Sequence, residues 1–394
     1  MYSTMEKEQL DAFAEYQQMV DSIFGEGIIS VVRNDVGNNI INTWGRVDEF
    51  IVFKELFFER LSRLQASYKS NKNINVIYNL VANIGDEKNW EGTYAELVAY
   101  DVLNTEYNSE FSLDVTRKAN FALADKLGMK MINYDIHMNN DYGVFMDVKA
   151  FTDTVGDILN NSIIGYVIKQ NDFKDIRIGV QPEYPLDDND EDYKHNIQPL
   201  RNELDSEIRK MLDSNRKQLS YTSNILPRVT FKILIGSGML GTTSVYNPYR
   251  RAEQLKDMVI KRYCNKLPYS EPFFLVFVNF PWFNQRDNNA FGDCNKALYR
   301  SIARRTFMQY ENNDEKIHNI NTKYQGNDEA KVAAHKLTGI IFIDDHSIIK
   351  NSQDIYIYLN PLADNKRPQI DMYLNALIKK SAGGDYDNLE HDNY

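Results

Sequence analysis

The stretch from Met129 to Phe151 constrains the fold of this chain more than any other part of the sequence. Two runs rich in apolar and aromatic residues flank the cluster Asn139–Gly143, and such a cluster between two β-prone runs predicts a β-hairpin. Ionisable residues interrupt both predicted strands, because Asp135 lies in the first and Asp147 and Lys149 lie in the second. The hairpin is therefore predicted to have a functional role in addition to packing in the core.

Charged side chains inside a strand need a physical reason, because acidic residues and lysine are poor strand formers and are costly to bury unpaired. Alternation places Asp147 and Lys149 on one face of the second strand and Val148 on the other. A divalent cation would resolve the conflict, since the carboxylate oxygens of Asp135 and Asp147 are hard ligands and the Val148 carbonyl could be a third. A cross-strand ion pair on a solvated strand face is the structural alternative.

The order of these residues resembles the motif of the PD-(D/E)XK nuclease superfamily, which has the restriction-endonuclease-like fold. That motif is an acid on one strand, a short gap, and acid-x-Lys on the next strand, often with a glutamate on a preceding helix. Asp135, followed after eleven residues by Asp147-Val148-Lys149, matches the strand part of the motif. Glu96, on a helix predicted over 92–103, matches the helical part.

The resemblance covers roughly residues 90–180. Tyr134 stands where the family name has proline, at a position that is not a ligand. Glu91 and Asp101 lie on or near the same predicted helix as Glu96, and both remain alternatives to it.

The resemblance implies a metal-dependent endonuclease that hydrolyses phosphodiester bonds in DNA, with restriction or anti-phage defence as its setting. Asp135, Asp147, the Val148 carbonyl and Glu96 would hold Mg²⁺ or Mn²⁺, while Lys149 would orient water and stabilise developing negative charge. The alternative from another class is a catalytically inactive nucleic-acid-binding or scaffolding protein on the same fold.

The net charge of −11 argues against a non-specific nucleic-acid-binding protein, but the charge is unevenly distributed. Between positions 231 and 310, Lys and Arg outnumber Asp and Glu. This excess predicts local phosphate contact or, alternatively, a solvated helix surface. The residues predicted to contact nucleic acid are Arg250, Arg251, Lys261, Arg262, Arg304 and Arg305.

Several other classes of function lack their sequence signals. The G-x-G-x-x-G stretch Gly236–Gly241 follows a predicted strand, but no helix opens directly from it, which argues against a dinucleotide site. The chain has no apolar run long enough for a transmembrane helix, and its two cysteines suggest no metal cluster or disulfide framework. The lack of an apolar run and the cysteine usage predict a cytoplasmic protein without a membrane partner. The resemblance to the nuclease superfamily implies double-stranded DNA as a partner, with a second copy of the chain as a candidate homodimer partner.

A composition of 43% hydrophobic and 12% aromatic residues predicts a folded chain. Strands that alternate with helices predict an α/β or α+β architecture with a mixed central sheet flanked by helices. The predicted regions are an N-terminal mainly helical region 1–88, a restriction-endonuclease-like catalytic core 89–182, a C-terminal α/β region 183–381 that extends the core or forms a second lobe, and a disordered acidic tail 382–394.

Patterning also predicts individual elements outside the hairpin. The predicted helices lie over 46–68, 116–127, 155–168, 197–218, 290–310 and 368–380. The predicted strands lie over 175–180, 229–235, 273–280, 339–344 and 354–359, and the strand 273–280 is apolar enough to be buried on both faces.

Overall fold

The chain folds into two compact units, and each is described by itself. The first unit comprises Met1–Phe151, Lys256–Asn289 and Ile302–Tyr394, and the second comprises Thr152–Leu255 and Ala290–Ser301. The computed structural model describes residues 4–29, 51–68, 73–84, 90–104, 111–118, 131–138, 143–151, 158–171, 176–182, 190–236, 270–280, 292–308, 334–347, 352–381 and 383–391, with the isolated positions 248, 249, 252, 253, 255, 259 and 331.

Among the described residues, four helices lie in the N-terminal part of the first unit: α1 Thr4–Phe24, α2 Ile51–Tyr68, α3 Ile74–Asn83 and α4 Trp90–Asn104. Helical spacing of apolar residues buries one face of α1, α2 and α3; Tyr16 of α1 and Phe57 of α2, for example, stack with ring centroids 6.3 Å apart. Gly25 has a φ of +93°, a left-handed conformation that favours glycine, and it ends α1. Most of α4 is buried, which places this helix against the sheet.

Seven strands form the mixed sheet of the first unit. They are β1 Phe111–Lys118, β2 Met131–Met138, β3 Phe145–Phe151, β7 Phe273–Asn279, β8 Gly339–Asp345, β9 Gln353–Leu359 and β10 Asp385–Asn388, in this order across the sheet. Strand β2 is antiparallel to β1 and β3, whereas β7 is parallel to both β3 and β8. Strand β9 is antiparallel to β8 and parallel to β10.

The centre of this sheet is buried on both faces, because every residue of β7 and β8 is buried. On one face, Met146, Val276 and Ile341 join the core formed with helices α1 to α4 and with α9 Pro368–Lys380. On the other face, Phe277 and Phe342 stack at 5.5 Å. The expectation of an α+β architecture with a mixed central sheet flanked by helices is confirmed.

The second unit contains a small antiparallel sheet of β4 Ile176–Pro182, β6 Val229–Ile235 and β5 Gln218–Thr222, in that order. Its helices are a π-helical segment Ile158–Gly165 that continues into α5 Tyr166–Asn171, followed by α6 Asp190–His195 and α7 Ile197–Asp213. Helix α7 buries Leu200, Leu204, Ile208 and Met211 in one core with the inner face of the sheet. Helix α8 Gly292–Met308 spans the boundary between the two units along the chain.

The strand predicted over 175–180 forms as β4, but it does not complete the sheet of the hairpin. It pairs with β6 in the second unit, and β7 takes the position beside β3. Pairing between β3 and β7 joins segments that are far apart in the sequence, so local patterning contains no information about it.

Two predicted helices differ from the structure at their ends. The helix predicted over 116–127 overlaps β1, because Thr116–Lys118 pair with β2; residues 119–127 lie outside the described residues. The helix predicted over 197–218 ends at Asp213, and Gln218 begins β5. Alternating polar and apolar residues in Gln218–Thr222 give the half-buried pattern of an edge strand.

The sequence left open whether the C-terminal region 183–381 extends the core or forms a second lobe, and the structure shows that parts of it do each. Strands β7, β8 and β9 extend the sheet that contains the hairpin, whereas β5, β6 and α7 belong to the second unit. The predicted disordered tail is wrong for its described part, because Asp385–Asn388 form β10 and Leu389–His391 form a 3₁₀ turn. None of the described helices is both long enough and apolar enough to cross a membrane.

Candidate functional site

The hairpin brings Asp135 and Asp147 to the point where its strands separate. The ladder between β2 and β3 pairs His137 with Phe145 and Ile136 with Met146. One residue further in the same register, Asp135 stands opposite Asp147. Cross-strand neighbours project from the same face of a sheet, so the fold places both carboxylates at one position between β2 and β3.

The Asp135 carboxylate bridges the gap between the separating strands. The backbone N–H of Val148 donates a hydrogen bond to Asp135 Oδ2 over 2.6 Å. This bond holds the backbone of β3 beside the acid and fixes one carboxylate oxygen between the two strands. The Val148 side chain is buried in the core, as alternation predicts. The role of its carbonyl as a metal ligand stays a prediction.

Lys149 is the common partner of both aspartates. Its Nζ lies 2.7 Å from Asp147 Oδ2 and 3.5 Å from Asp135 Oδ2. The Asp147 side chain is fully buried and that of Asp135 is 13% exposed, so both carboxylates need a nearby positive charge. The cross-strand ion pair that a purely structural role would require is thus present. It is formed by the same three residues that the nuclease motif requires.

Strand β7 fixes Asp147 from the other side. Asp147 lies opposite Leu275, and the parallel ladder between β3 and β7 continues through Lys149, which lies opposite Phe277. Because β7 is completely buried, the backbone that carries Asp147 and Lys149 pairs with a strand in the buried centre of the sheet. Functional groups on such a region keep their positions better than groups on a loop.

Helix α4 brings Glu96 into the same electrostatic environment. Burial raises the pKa of Glu96, the charges of Asp135 and Asp147 raise it further, and Tyr100 and Lys149 oppose the rise, so that its pKa is about 8. A carboxyl group with this pKa is protonated at neutral pH in the metal-free protein. Three carboxyl groups and one ammonium therefore influence one another at this position.

Tyr100 connects Glu96 with the hairpin. Its hydroxyl lies 3.1 Å from Glu96 Oε2 and 3.3 Å from the backbone carbonyl oxygen of Asp135, with the geometry of a donor to each. Burial raises the pKa of Tyr100 well above its ordinary value, so the group stays a neutral hydroxyl. Sequence reasoning missed this residue, although a hydrogen-bonding side chain four positions after Glu96 on a helix is a detectable signal.

Asp101, an alternative to Glu96, is engaged elsewhere. Its carboxylate lies 3.3 Å from Arg60 Nε and 2.8 Å from Arg63 Nη2, both on α2. Arg60 is buried and also contacts the Tyr94 hydroxyl at 3.0 Å and Asp345 Oδ1 at 3.0 Å. This network joins α2, α4 and the end of β8, and so it fixes the helix that carries Glu96.

Asp114 is a further acid that the sequence did not identify. The pairs on either side of it in the β1–β2 ladder place Asp114 opposite Asp135. Its φ of +51° is in the left-handed region, which Asp tolerates better than most residues, and its carboxylate accepts a hydrogen bond from Asn133. Asp114, Asp135 and Asp147 thus occupy neighbouring register positions on β1, β2 and β3. Asp114 is the exposed residue of the three.

The donor set at the hairpin fits a divalent cation, although it is incomplete as a cluster. Carboxylate oxygens are the hard ligands that Mg²⁺ and Mn²⁺ prefer. Asp135 and Asp147 already converge on a cation, the Lys149 ammonium, which marks the position where positive charge is stabilised. In the part of the chain that the structure describes, no group of three His, Cys, Asp or Glu side chains has the geometry of a metal site.

The predicted nucleic-acid contacts fall into two groups. Arg250, Arg251, Lys261 and Arg262 lie outside the described residues. Arg304 and Arg305 lie in the last turns of α8, and both are half-buried. Burial lowers the pKa of Arg305. These residues are not brought to the hairpin by any described contact, and their role stays a prediction.

No protein-family model, curated protein or solved structure gives a significant match to the chain.

Removing the titrating group at Glu96 is expected to change how stability depends on pH. Because the pKa of Glu96 is raised to about 8 from an ordinary value near 4.5, the folded state holds its proton more tightly than the unfolded state does. The stabilisation of the folded state by this bound proton is complete below pH about 4.5 and is lost as the pH rises through about 8. Glu96→Gln should therefore melt about 2–4 °C above the wild type at pH about 8.5 in metal-free buffer, with the difference shrinking at pH about 5.

Thermal melting from pH 5 to 9 would measure this, at steps of about one unit. Glu55→Gln, an exposed site on α2, is the matched control and should keep the wild-type pH dependence. A Glu96→Gln curve parallel to the wild type across the whole range would contradict the environment assigned to Glu96.

Proposed function

We propose that the chain is a metal-dependent nuclease of PD-(D/E)XK type that hydrolyses phosphodiester bonds in duplex DNA. The observation that carries this proposal is the convergence of Asp135 and Asp147 on the Lys149 ammonium, at 3.5 Å and 2.7 Å, at the point where β2 and β3 separate. A structural ion pair would not require a second buried carboxylate, nor Glu96 on an adjacent helix with a raised pKa.

The order of the elements around the site supports the same family. A helix with Glu96 precedes three neighbouring strands, and a further strand completes the core beside the acid-x-Lys strand. Here that further strand is β7, parallel to β3, and the chain between them includes most of the second unit. On this interpretation the second unit is an insertion into a restriction-endonuclease-like core.

The residues of the site divide the chemistry among them. Asp135 and Asp147 would hold Mg²⁺ or Mn²⁺, which supplies charge neutralisation at the scissile phosphate and an activated water. The Lys149 ammonium would orient the attacking water and stabilise negative charge that develops on the phosphate.

Glu96 and Tyr100 support the two aspartates. The Tyr100 hydroxyl orients the Glu96 carboxyl group and restrains the backbone at Asp135. Glu96 would complete the shell of the metal, either directly or through a water molecule. Such indirect partners orient ligands and tune their charge.

Incubation with supercoiled plasmid DNA and Mg²⁺ or Mn²⁺ tests the proposal. The wild-type chain should nick or linearise the plasmid, EDTA should stop the reaction, and mapping of the new ends should reveal whether cleavage is sequence-specific. A chain that binds the plasmid but leaves it supercoiled with both metals would contradict nuclease activity and favour the inactive nucleic-acid-binding alternative.

A further inference from the structure

The three-stranded sheet of the second unit has one apolar face and one polar face. Phe231 and Ile233 of the central strand β6 are buried in the core with α7. Alternation turns their neighbours Thr230 and Lys232 to the opposite side, where both are half-exposed. The apolar residues of α7 join the core on the inner face, so this helix does not cover the polar side.

Polar residues of the flanking strands surround Lys232. In register it lies between Gly179 of β4 and Ser220 of β5, and Thr230 lies beside Thr222 with their hydroxyls 3.2 Å apart. Arg177 lies diagonally from Lys232 across the sheet, a separation of about 7–8 Å between backbone positions. The exposed members of this polar face are Arg177, Gln218, Ser220 and Thr222.

Positive charge continues beyond both ends of the strands. Arg216 and Lys217 are exposed just before β5, and Arg228 is exposed just before β6. The polar face itself includes no acidic residue among its described positions, although the whole chain has a net charge of −11. Helix α7, which packs on the inner face, carries the acidic residues Glu203, Asp205, Glu207 and Asp213 together with the basic residues Arg201, Arg209 and Lys210. The polar face of the sheet differs from α7 because its described positions carry positive charge without acidic residues.

We propose that this polar face, centred on Arg177 and Lys232, binds the sugar–phosphate backbone of duplex nucleic acid. Arginine, lysine and hydroxyl or amide side chains are the groups that contact phosphate oxygens and position a protein on a duplex. The face offers these groups on one side of the sheet with no acidic residue among its described positions, so its charge is complementary to a phosphate backbone.

The composition of the face separates duplex nucleic acid from other anionic partners. Single strands are bound by aromatic side chains on which bases stack, and no described position on this face is aromatic. An anionic membrane requires apolar side chains that insert beside the charges, whereas Leu234 is the single large apolar residue among the described positions of the face. Backbone contacts of this kind carry affinity but no sequence preference.

This inference rests on the proposed function, because it assigns to the second unit the binding of the duplex that the hairpin site would cleave. The second unit would then supply sequence-independent affinity, while the chemistry stays at Asp135, Asp147 and Lys149. The face and the cleavage site are therefore separable by experiment, since one determines binding and the other determines hydrolysis.

The test uses the full chain with Arg177→Gln and Lys232→Gln combined, and a fluorescent duplex titrated without divalent metal at salt concentrations of about 50–200 mM. Each phosphate contact contributes about 0.9 to the slope of log affinity against log salt, so the pair should lower the slope by roughly 1–2. The matched control combines Arg209→Gln and Lys210→Gln on α7, which removes the same charge from the opposite side of the unit and should leave the slope unchanged.

Three results would overturn the assignment. The first is a wild-type salt slope in the Arg177/Lys232 variant, and the second is an equal loss of slope in the α7 control. The third is tighter binding of the wild type to a single strand or to phosphatidylserine vesicles than to the duplex. Plasmid cleavage with Mg²⁺ is measured in parallel: a wild type that binds duplex through this face without cutting it would contradict the nuclease proposal and leave the face assigned.

Discussion

Lys149→Ala is expected to slow duplex cleavage by about 10²–10³-fold while binding of the duplex stays within a few-fold of the wild type. A lysine that orients water and stabilises charge on the reacting phosphate contributes to the transition state and little to ground-state affinity. Single-turnover cleavage in Mg²⁺, compared with binding in Ca²⁺, separates the two quantities. Lys149→Arg should recover little activity, because a wide planar guanidinium does not replace a compact ammonium between two carboxylates.

Lys54→Ala is the control for this experiment. Lys54 also forms a close ion pair, with Glu15 at 2.6 Å, but it lies on α2 and takes no part in the hairpin. Its loss should leave the cleavage rate unchanged. If Lys149→Ala reduced binding and cleavage equally, or reduced only thermal stability, Lys149 would be a partner in a structural ion pair and nothing more.

Arg60→Met is expected to destabilise the first unit by about 3–5 kcal/mol, because it leaves a buried carboxylate without its principal counter-charge. Burial alone would raise the pKa of Asp345, but Arg60, Ser347 and Tyr94 hold it below its ordinary value. The lowered pKa of Asp345 stabilises the folded state at pH values above the ordinary pKa of an aspartate. This stabilisation is lost as the pH falls through the lowered pKa of Asp345. Without Arg60, the buried charge of Asp345 becomes a cost at neutral pH. Urea unfolding at neutral pH measures the loss.

Arg63→Met is the matched control, since Arg63 shares Asp101 with Arg60 but is 40% exposed. Its partner Asp101 is buried but keeps the Arg60 guanidinium as a counter-charge, so this variant should lose clearly less stability than Arg60→Met. Arg60→Met combined with Asp345→Asn should recover part of the loss by removing the unpaired charge. Equal destabilisation by Arg60→Met and Arg63→Met would contradict the role assigned to the buried network.

Local patterning predicted the elements whose sequence signal is strong. The Asn/Asp/Gly cluster between two β-prone runs predicted the hairpin, and uninterrupted apolar sequence predicted the buried strands β7 and β8. Strand β5 was missed because Gln218–Thr222 is an edge strand with a polar, half-exposed sequence. Strand β4 was predicted, but its pairing with β6 was not, because tertiary packing determines which strands pair.

The candidate site was predictable to the extent that its residues are close in the sequence. Asp135, Asp147 and Lys149 belong to one hairpin, so strand alternation and register were sufficient to bring them together. Arg60 could not be predicted as a buried residue, because its partner Asp345 is 285 positions away. Asp114 was also missed, since its place opposite Asp135 depends on the β1–β2 register and on a left-handed backbone.

Cleavage of duplex DNA by Asp147→Asn tests the central claim most directly. The substitution keeps the shape of a fully buried side chain and removes the charge that would hold the metal. Loss of several kcal/mol of metal-derived stabilisation should lower the single-turnover rate in Mg²⁺ by more than about 10³-fold. Asp11→Asn on the exposed side of α1 should cleave like the wild type. A folded Asp147→Asn protein that cleaves duplex DNA at the wild-type rate in Mg²⁺ would contradict the account.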